Sequence, residues 1–237
     1  MLDPIIDAIT AHAARDYPNE ACGLIVNSHG NTYVKPCENL SHTPDRAFLI
    51  DPLIITQHDG HITAVYHSHP NAPATPSVAD IAASERCMIP YLILSYPGGE
   101  LQKYTPQNQL PAPYERRPFV YGVLDCLSLV TDYYQHELGI KLIDNDRKAW
   151  EWWLDDDNAA AFVEGFKAQG FYQVNSLQKN DVIIMQLQSR CPNHAAIYAG
   201  ENVMLHHPSQ NNLSRYELYG DYWRKNTVCF LRHKNHA

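Results

Sequence analysis

The stretch YHSHPNAPATPSVAD, residues 66–80, determines how the first half of the chain folds. It continues the apolar residues of 62–65, whose pattern is typical of a β-strand. Side chains two positions apart on a strand point to the same face, so His67 and His69 are predicted to project together near the strand's end. The strand therefore offers two imidazoles to a single ligand.

A helix is predicted to begin within the same stretch. Thr75 fits the N-cap position, and Pro76 fits the first helical position, where the missing N–H has no helical partner to lose. Ser77 and Asp80 lie three residues apart and are expected to share one face of that helix. A carboxylate is thereby placed shortly after the two imidazoles.

Two imidazoles and one carboxylate are typical of a catalytic zinc site, which keeps its fourth position open, whereas a structural site has a fourth protein ligand. Such a site needs a base, and Glu20 is the upstream candidate to take the proton from the activated water. For the His-x-His pair alone, the alternative is two ordinary surface histidines in a proline-rich loop.

An upstream glutamate, His-x-His, seven residues, serine, two residues and aspartate together resemble the motif of JAMM metallopeptidases. The matching residues are Glu20, His67, His69, Ser77 and Asp80. The resemblance implies that His67, His69 and Asp80 bind Zn²⁺. It also implies that Glu20 acts as acid and base and that Ser77 stabilises the oxyanion.

The composition of the whole chain indicates a globular protein of two domains. Its 237 residues suffice for two cores, and the formal charge of −8 argues against a nucleic-acid or membrane-surface partner. No apolar run approaches the ~20 residues of a membrane span, and the six scattered cysteines contain no Cys-x-x-Cys. Reduced thiols and a cytosolic location are expected.

The predicted fold class is α+β, with two domains joined by a linker. Residues 1–105 form the JAMM-like mixed domain, 106–117 a proline-rich linker, and 118–237 a second domain. Within the first domain, hydrophobic periodicity and turn residues predict a helix after Asp3, a hairpin over 24–35, a strand over 47–50, a helix after Pro52 and a hairpin over 91–104.

A second candidate site begins at Asp125, which fits the N-cap of a helix that continues to Gly139. Cys126 then lies in the first turn, where free N–H groups and the helix dipole favour a thiolate. A nucleophile there needs a base, and His194 is the leading candidate. A buried structural thiol is the alternative for Cys126.

The segments 181–185, 194–200 and 202–206 are predicted to form successive strands of an antiparallel sheet. Asp-Cys at a helix start, followed by His-Ala-Ala-Ile-Tyr-x-Gly and a later histidine, resembles the NlpC family of papain-like cysteine peptidases. The resemblance implies Cys126 as nucleophile, His194 as base and His206 as the group that orients it. By the same resemblance Tyr121 is a candidate for oxyanion binding, and a core role for this tyrosine is an equal alternative.

Two features depart from the NlpC pattern. The family commonly has Ser-Gly after the cysteine, whereas this chain has Leu127 and Ser128, so substrate preference is in doubt more than the chemistry. The orienting histidine is followed by His207, and strand alternation lets only one of the two face the cleft. Counting from His194 favours His206.

Three further predictions concern residues outside the motifs. Trp150, Trp152 and Trp153 are assigned to an amphipathic helix rather than a carbohydrate platform, and the aspartates of 155–157 to the N-cap of a helix over 159–168. His233 and His236 near the end of the chain are expected to be exposed to solvent.

The order of the two domains resembles the tail assembly proteins of lambda-like phages and prophages. This resemblance implies partners among the tail tip proteins, one of them with a ubiquitin-like fold, and a cysteine domain that cuts peptidoglycan stem peptides between D-γ-glutamyl and diaminopimelate. It places the protein in the host cytoplasm during assembly, or on the virion tail tip at the cell wall. A non-catalytic assembly factor and a cellular peptidase of wall recycling remain alternatives.

Overall fold

The protein consists of two compact units that divide between Pro111 and Ala112. The structure, a computed structural model, describes residues 4–143, 160–208 and 212–236. The predicted helix with Trp150, Trp152 and Trp153 lies outside the described residues.

The first unit is a mixed sheet with helices on both faces. Its elements are α1 (Pro4–Asp16), β1 (Cys22–Ser28), β2 (Asn31–Cys37), α2 (Pro52–Gln57), β3 (Ile62–Pro70), α3 (Val78–Cys87), β4 (Tyr91–Tyr96) and β5 (Leu101–Tyr104). The strand order is β2-β1-β3-β4-β5, with β3 and β4 parallel and the other neighbours antiparallel. Both predicted hairpins are confirmed, and α3 makes the crossover that the parallel pair requires.

Alternation along β3 assigns its side chains to two different cores. Tyr66 points to the face covered by α1, where it packs with Ile9. Val65 points to the opposite face and packs with Tyr91 of β4 and Ala83 of α3. Because His67 follows Tyr66, it shares the α3 face, which brings it toward the start of that helix.

The predicted strand over 47–50 is wrong, because this segment is an irregular loop held by a side chain. The amide oxygen of Asn39 accepts the N–H of Leu49 at 3.1 Å. The carbonyl of Leu49 in turn accepts the N–H of Leu40 at 2.9 Å. The backbone N–H and carbonyl of Leu49 are thus satisfied without a sheet partner.

The second unit is an antiparallel sheet with a helix packed against it. Its elements are α4 (Cys126–Leu138), α5 (Ala161–Lys167), β6 (Phe171–Val174), β7 (Val182–Met185), β8 (His194–Gly200), β9 (Val203–His206), β10 (Arg215–Leu218), α6 (Asp221–Lys225), β11 (Thr227–His233) and a 3₁₀ turn (Lys234–His236). The order β10-β9-β8-β7-β11-β6 confirms the predicted antiparallel pairing of β7, β8 and β9. Leu129 and Val130 of α4 pack with Ala195 and Ile197 of β8, so the start of the helix lies beside that strand.

Two predictions for this unit are wrong. His233 is buried rather than exposed, because it lies in β11 and its Nε2 is 3.0 Å from the carbonyl oxygen of Gln169. The helix after the acidic run has Ala160 at its N-cap, without a side-chain cap, instead of an aspartate. The polar residues next to His233 in the sequence indicated exposure, but the pairing of β11 with β6 and β7 buries this histidine.

The segment predicted as a linker, 106–117, is divided between the two units. The carboxylate of Glu85 accepts the backbone N–H of Gln107 and of Gln109, which fixes the first part to α3. Arg117 is fully buried in the second unit, and its Nη1 lies 2.6 Å from Oδ2 of Asp132. None of the described helices is long and apolar enough to span a membrane.

Candidate active sites

The first candidate site is a cluster of three potential metal ligands at the end of β3. His67, His69 and Asp80 each offer one ligand atom, and these atoms lie within 4.8 Å of one another. The Nε2 atoms of the two histidines are 3.1 Å apart, and the carboxylate oxygens of Asp80 lie 3.2 and 3.4 Å from them. The structure thus brings together the three residues that the sequence predicts as zinc ligands.

The ring orientations of the two histidines suit metal binding. Nδ1 of His69 is 2.7 Å from the carbonyl oxygen of Pro73, which only accepts, so Nδ1 carries the hydrogen and Nε2 presents its lone pair. Phe48 stacks on the ring of His67 with centroids 4.6 Å apart and holds it in place. Nδ1 of His67 is buried and has no hydrogen-bond partner among the described residues.

Asp80 is fixed by the cap of α3 rather than by an independent contact. The N-cap is Ser77, not Thr75 as predicted, because Ser77 and Asp80 form a capping box. Ser77 donates its N–H to Oδ2 of Asp80 at 2.7 Å, and its hydroxyl accepts the N–H of Asp80 at 3.1 Å. These reciprocal bonds satisfy two N–H groups at the start of α3, where no helical carbonyl is available to accept them.

The electrostatics of Asp80 keep it ionised. Burial of the carboxyl favours the neutral form, but the charge of His67 and hydrogen bonds from His67, His69 and Ser77 outweigh this effect and lower the pKa of Asp80. An ionised carboxylate beside two imidazoles is the donor set that Zn²⁺ binds with an open fourth position. The residues present therefore fit the metal that the sequence predicts.

Glu20 is held next to this cluster by its backbone. Its N–H donates to the carbonyl of Pro44 at 2.7 Å, and its carbonyl accepts from Nδ2 of Asn39 at 3.0 Å. Burial raises the pKa of Glu20 to about 8, while the charge of His69 opposes the shift and that of Asp80 adds to it. A carboxyl group with a pKa near neutrality can both accept and return a proton.

The second candidate site begins at the N-terminus of α4. Cys126 is the first helical residue, and Asp125 is its N-cap, as predicted. The carboxylate of Asp125 accepts from the N–H groups of Leu127 and Ser128 and also from Gly122 at 2.9 Å. Ser128 completes the capping box with its hydroxyl, which accepts the N–H of Asp125 at 2.8 Å.

The start of β8 places His194 beside this helix terminus. The charge of Asp125, the neighbour of Cys126, acts on the ring of His194. Burial lowers the pKa of His194 to about 3, and the charges of His206 and His207 act in the same direction. His194 is therefore neutral at neutral pH, the form that can accept a proton.

His206 faces His194 across the β8/β9 pair. The distance from Nε2 of His194 to Nδ1 of His206 is 3.2 Å, and both rings are buried. His207 turns away and packs edge-on against Phe119, with centroids 5.4 Å apart. The alternation thus places His206, and not His207, against the candidate base.

Tyr121 lies in the turn that leads into α4. An isolated bridge between Val120 and Leu124 closes this turn, and the tyrosine is half-buried. The turn ends directly before Asp125, so Tyr121 is close in sequence to the candidate nucleophile Cys126 and does not lie on a regular strand. Its role in oxyanion binding stays a prediction.

Residues around both sites were missed by the sequence analysis. Glu217 and Trp223 contact His206 in the second site, and Asn39 and Phe48 support Glu20 and His67 in the first. An acidic residue on a short strand after the histidines is the one signal that could have indicated Glu217. The others belong to no motif and meet the site only in the folded chain.

Two family models match the chain. The model described as prokaryotic homologs of the JAB domain matches residues 2–106, and the model of the NlpC/P60 family matches residues 116–232. Each match contains one of the two candidate sites. The comparisons confirm both family resemblances that the sequence motifs indicate.

Three relatives cover one or both units. Tail tip assembly protein K of Escherichia phage N15 is 35% identical over 238 residues, which cover 99% of this chain and 96% of the relative. Tail tip assembly protein K of Escherichia phage lambda is 35% identical over 178 residues, covering 74% of this chain and 83% of the relative. A probable TtuB-protein conjugate cleaving protease of Thermus thermophilus is 34% identical over 101 residues, covering 40% of this chain and 68% of the relative. Since the identity to the phage proteins extends across both units, the chain belongs to the tail tip assembly protein K family, with a JAB-type domain followed by an NlpC/P60 domain.

Proposed function

We propose that the C-terminal domain is a cysteine endopeptidase that cleaves peptidoglycan stem peptides during tail function. The observation that carries this proposal is the line of polar groups beside the start of α4: the His194 ring, the His206 ring 3.2 Å away, and the carboxylate of Glu217 3.1 Å beyond. A nucleophile with an adjacent, oriented base is the arrangement that covalent catalysis requires.

The proposed reaction proceeds through an acyl-enzyme. Neutral His194 takes the proton of the Cys126 thiol, and the sulfur attacks the carbonyl carbon of the scissile amide. His194 then gives that proton to the leaving nitrogen, and the amide bond breaks to leave a thioester on Cys126. Water hydrolyses the thioester with His194 again as base, and Tyr121 is proposed to bind the oxyanion in both steps.

Digestion of purified peptidoglycan tests this activity. We expect the full chain to release fragments that mass spectrometry assigns to cleavage between D-γ-glutamyl and diaminopimelate. Cys126→Ser should release none, because the hydroxyl is a far weaker nucleophile in a site built for a thiol. If the stem peptides stay intact after treatment with the unaltered protein, the proposal that they are the substrate is wrong.

The N-terminal domain is proposed to be a zinc-dependent isopeptidase. Zinc in an open three-ligand site polarises a carbonyl and lowers the pKa of a coordinated water. His67, His69 and Asp80 would hold the ion, Glu20 would accept and return the proton, and Ser77 would stabilise the oxyanion. The relative named as a conjugate cleaving protease supports an isopeptide substrate, for which a tail tip protein with a ubiquitin-like fold is the proposed source.

Metal analysis separates the ligands from the base. We expect about one zinc per chain, loss of zinc in His69→Ala, and retention in Glu20→Gln, because Glu20 is a base and not a ligand. Loss of zinc from Glu20→Gln would show that this residue binds the metal.

We place the protein in the host cytoplasm during assembly, with action at the cell wall from the tail tip.

A further inference from the structure

A carboxylate lies directly behind the orienting histidine of the cysteine site. Glu217 is on β10, where Arg215 is opposite His206 in the antiparallel register. Oε2 of Glu217 is 3.1 Å from Nε2 of His206, on the side of the ring away from His194. His206 is therefore bonded at both of its ring nitrogens.

The chemistry of these partners fixes the direction of each hydrogen bond. An ionised carboxylate can only accept, so Nε2 of His206 must donate to Glu217. In the neutral ring, Nδ1 of His206 is then the acceptor, and Nε2 of His194 must be its donor. This leaves Nδ1 of His194 as the one ring nitrogen with a lone pair for a proton.

The opposite polarity would disable the site. If Nδ1 of His206 carried the hydrogen, Nε2 of His194 would have to accept it, and the hydrogen of neutral His194 would move to Nδ1. His194 could then not take the proton of Cys126 through that atom. The position of the hydrogen on the ring of His194 thus depends on Glu217, which is separated from Cys126 by His194 and His206.

Two further side chains hold the carboxylate in this position. Arg215 donates from Nε to Oε2 of Glu217 at 2.8 Å, and its Nη2 is 2.7 Å from the same oxygen. Trp223 donates from Nε1 to Oε1 at 3.2 Å, and its ring packs edge-on against His206 with centroids 4.7 Å apart. Both oxygens of Glu217 are therefore oriented, although its side chain is 32% exposed.

We propose that Glu217 is a positioning residue of the cysteine site, which sets the tautomers of His206 and His194 so that His194 can serve as the base. The proposal deepens the peptidase function and rests on it for its catalytic consequence. The tautomers themselves are properties of the resting protein and can be measured without a substrate.

The test is ¹⁵N NMR of the histidine rings in the full chain, at neutral pH. We expect both His194 and His206 to carry the hydrogen on Nε2. In Glu217→Ala, the fraction of His206 that carries the hydrogen on Nε2 should be smaller than in the unaltered protein. Glu217→Gln should retain part of it, because the amide oxygen can still accept. Leu218→Ala is the matched control, since this exposed neighbour on β10 lies outside the cluster.

Kinetics with a stem peptide supply the catalytic arm. The kcat of Glu217→Ala should fall at least about tenfold with little change in KM, with Glu217→Gln intermediate and Leu218→Ala unchanged. An Nδ1–H form of His206 in the unaltered protein, or unchanged tautomers and kcat in both Glu217 variants, would overturn the proposal. If the tautomers are as expected but the protein cleaves no peptidoglycan, the positioning role of Glu217 is upheld and the proposed substrate is rejected.

Discussion

His206 and His207 are consecutive and both fully buried, yet they have different surroundings. The ring of His206 lies between His194 and Glu217, whereas that of His207 packs against Phe119. Substitution of either histidine by alanine removes the same buried volume. A comparison of the two variants therefore distinguishes the effect of orienting His194 from the effect of lost packing.

We expect His206→Ala to lower the rate of stem-peptide cleavage by at least about a hundredfold, since the ring that orients His194 is lost. His207→Ala should retain most of the activity of the folded protein. Initial rates, corrected for the folded fraction measured by circular dichroism, give the comparison. The reverse ranking would assign the orienting role to His207.

His207 also predicts a dependence of stability on pH. Burial lowers its pKa to about 4 from the ordinary value of 6.5, so below pH 6.5 the unfolded chain binds a proton that the folded chain does not. The free energy of unfolding should therefore decrease as the pH is lowered. From His207 alone, the decrease between neutral pH and pH 5 should be roughly 2 kcal/mol. This contribution fades as the pH rises above 6.5, because His207 then becomes neutral in the unfolded chain as well.

Replacement by a residue that does not titrate isolates this effect. In His207→Leu, urea unfolding at pH 7 and pH 5 should show a difference smaller than in the unaltered protein by about that amount. The opposing contribution of Glu20, whose pKa is raised, cancels because it is present in both proteins. Equal pH dependence in the two proteins would refute the burial of a neutral His207.

At the level of elements, the side-chain amide of Asn39 organises the loop that lies against the candidate metal site. Nδ2 of Asn39 donates to the carbonyls of Glu20 at 3.0 Å and Ala47 at 3.1 Å, while Oδ1 accepts the N–H of Leu49. These bonds join the backbone at Glu20 to the residues on both sides of Phe48, which stacks on His67. The loop and Glu20 are thus fixed together.

Asn39→Asp should loosen this loop, because a carboxylate oxygen would replace the donor and face two carbonyl oxygens. We expect a loss of about 1–3 kcal/mol in the free energy of unfolding, with zinc still bound, since the ligands lie on β3 and α3. Chemical denaturation and metal analysis measure both quantities. Asn27→Asp is the control, because Asn27 makes one exposed side-chain bond to Thr32. A loss no larger than that of the control would contradict the role of Asn39.

At the level of the whole molecule, each unit contains one complete candidate site with its own chemistry. The candidate metal ligands and Glu20 belong to residues up to Pro111, and the candidate cysteine and histidines to those from Ala112 onward. We expect a chelator to remove zinc without slowing peptidoglycan cleavage, and Cys126→Ser to abolish cleavage without loss of zinc. Cleavage that stops on chelation would show that the zinc domain serves the cysteine site.

Features that depend on neighbours a few residues apart could be predicted from the amino-acid sequence. Alternation on a strand places His67 and His69 on one face, and a cap followed by an apolar periodicity places Cys126 at a helix start. Such geometry is set by local backbone sterics and by hydrogen bonds within one turn. For this reason the grouping of His67 with His69 and the position of Cys126 at a helix start could be predicted without the fold, whereas both families were indicated by the resemblance of the motifs.

The distant groups that support the candidate sites are known only from the folded chain. Glu217 reaches His206 because β10 pairs with β9, and Asn39 reaches Glu20 because a loop folds back on the start of β1. Contacts of this kind depend on strand register and on packing across many residues, which no short stretch of sequence specifies.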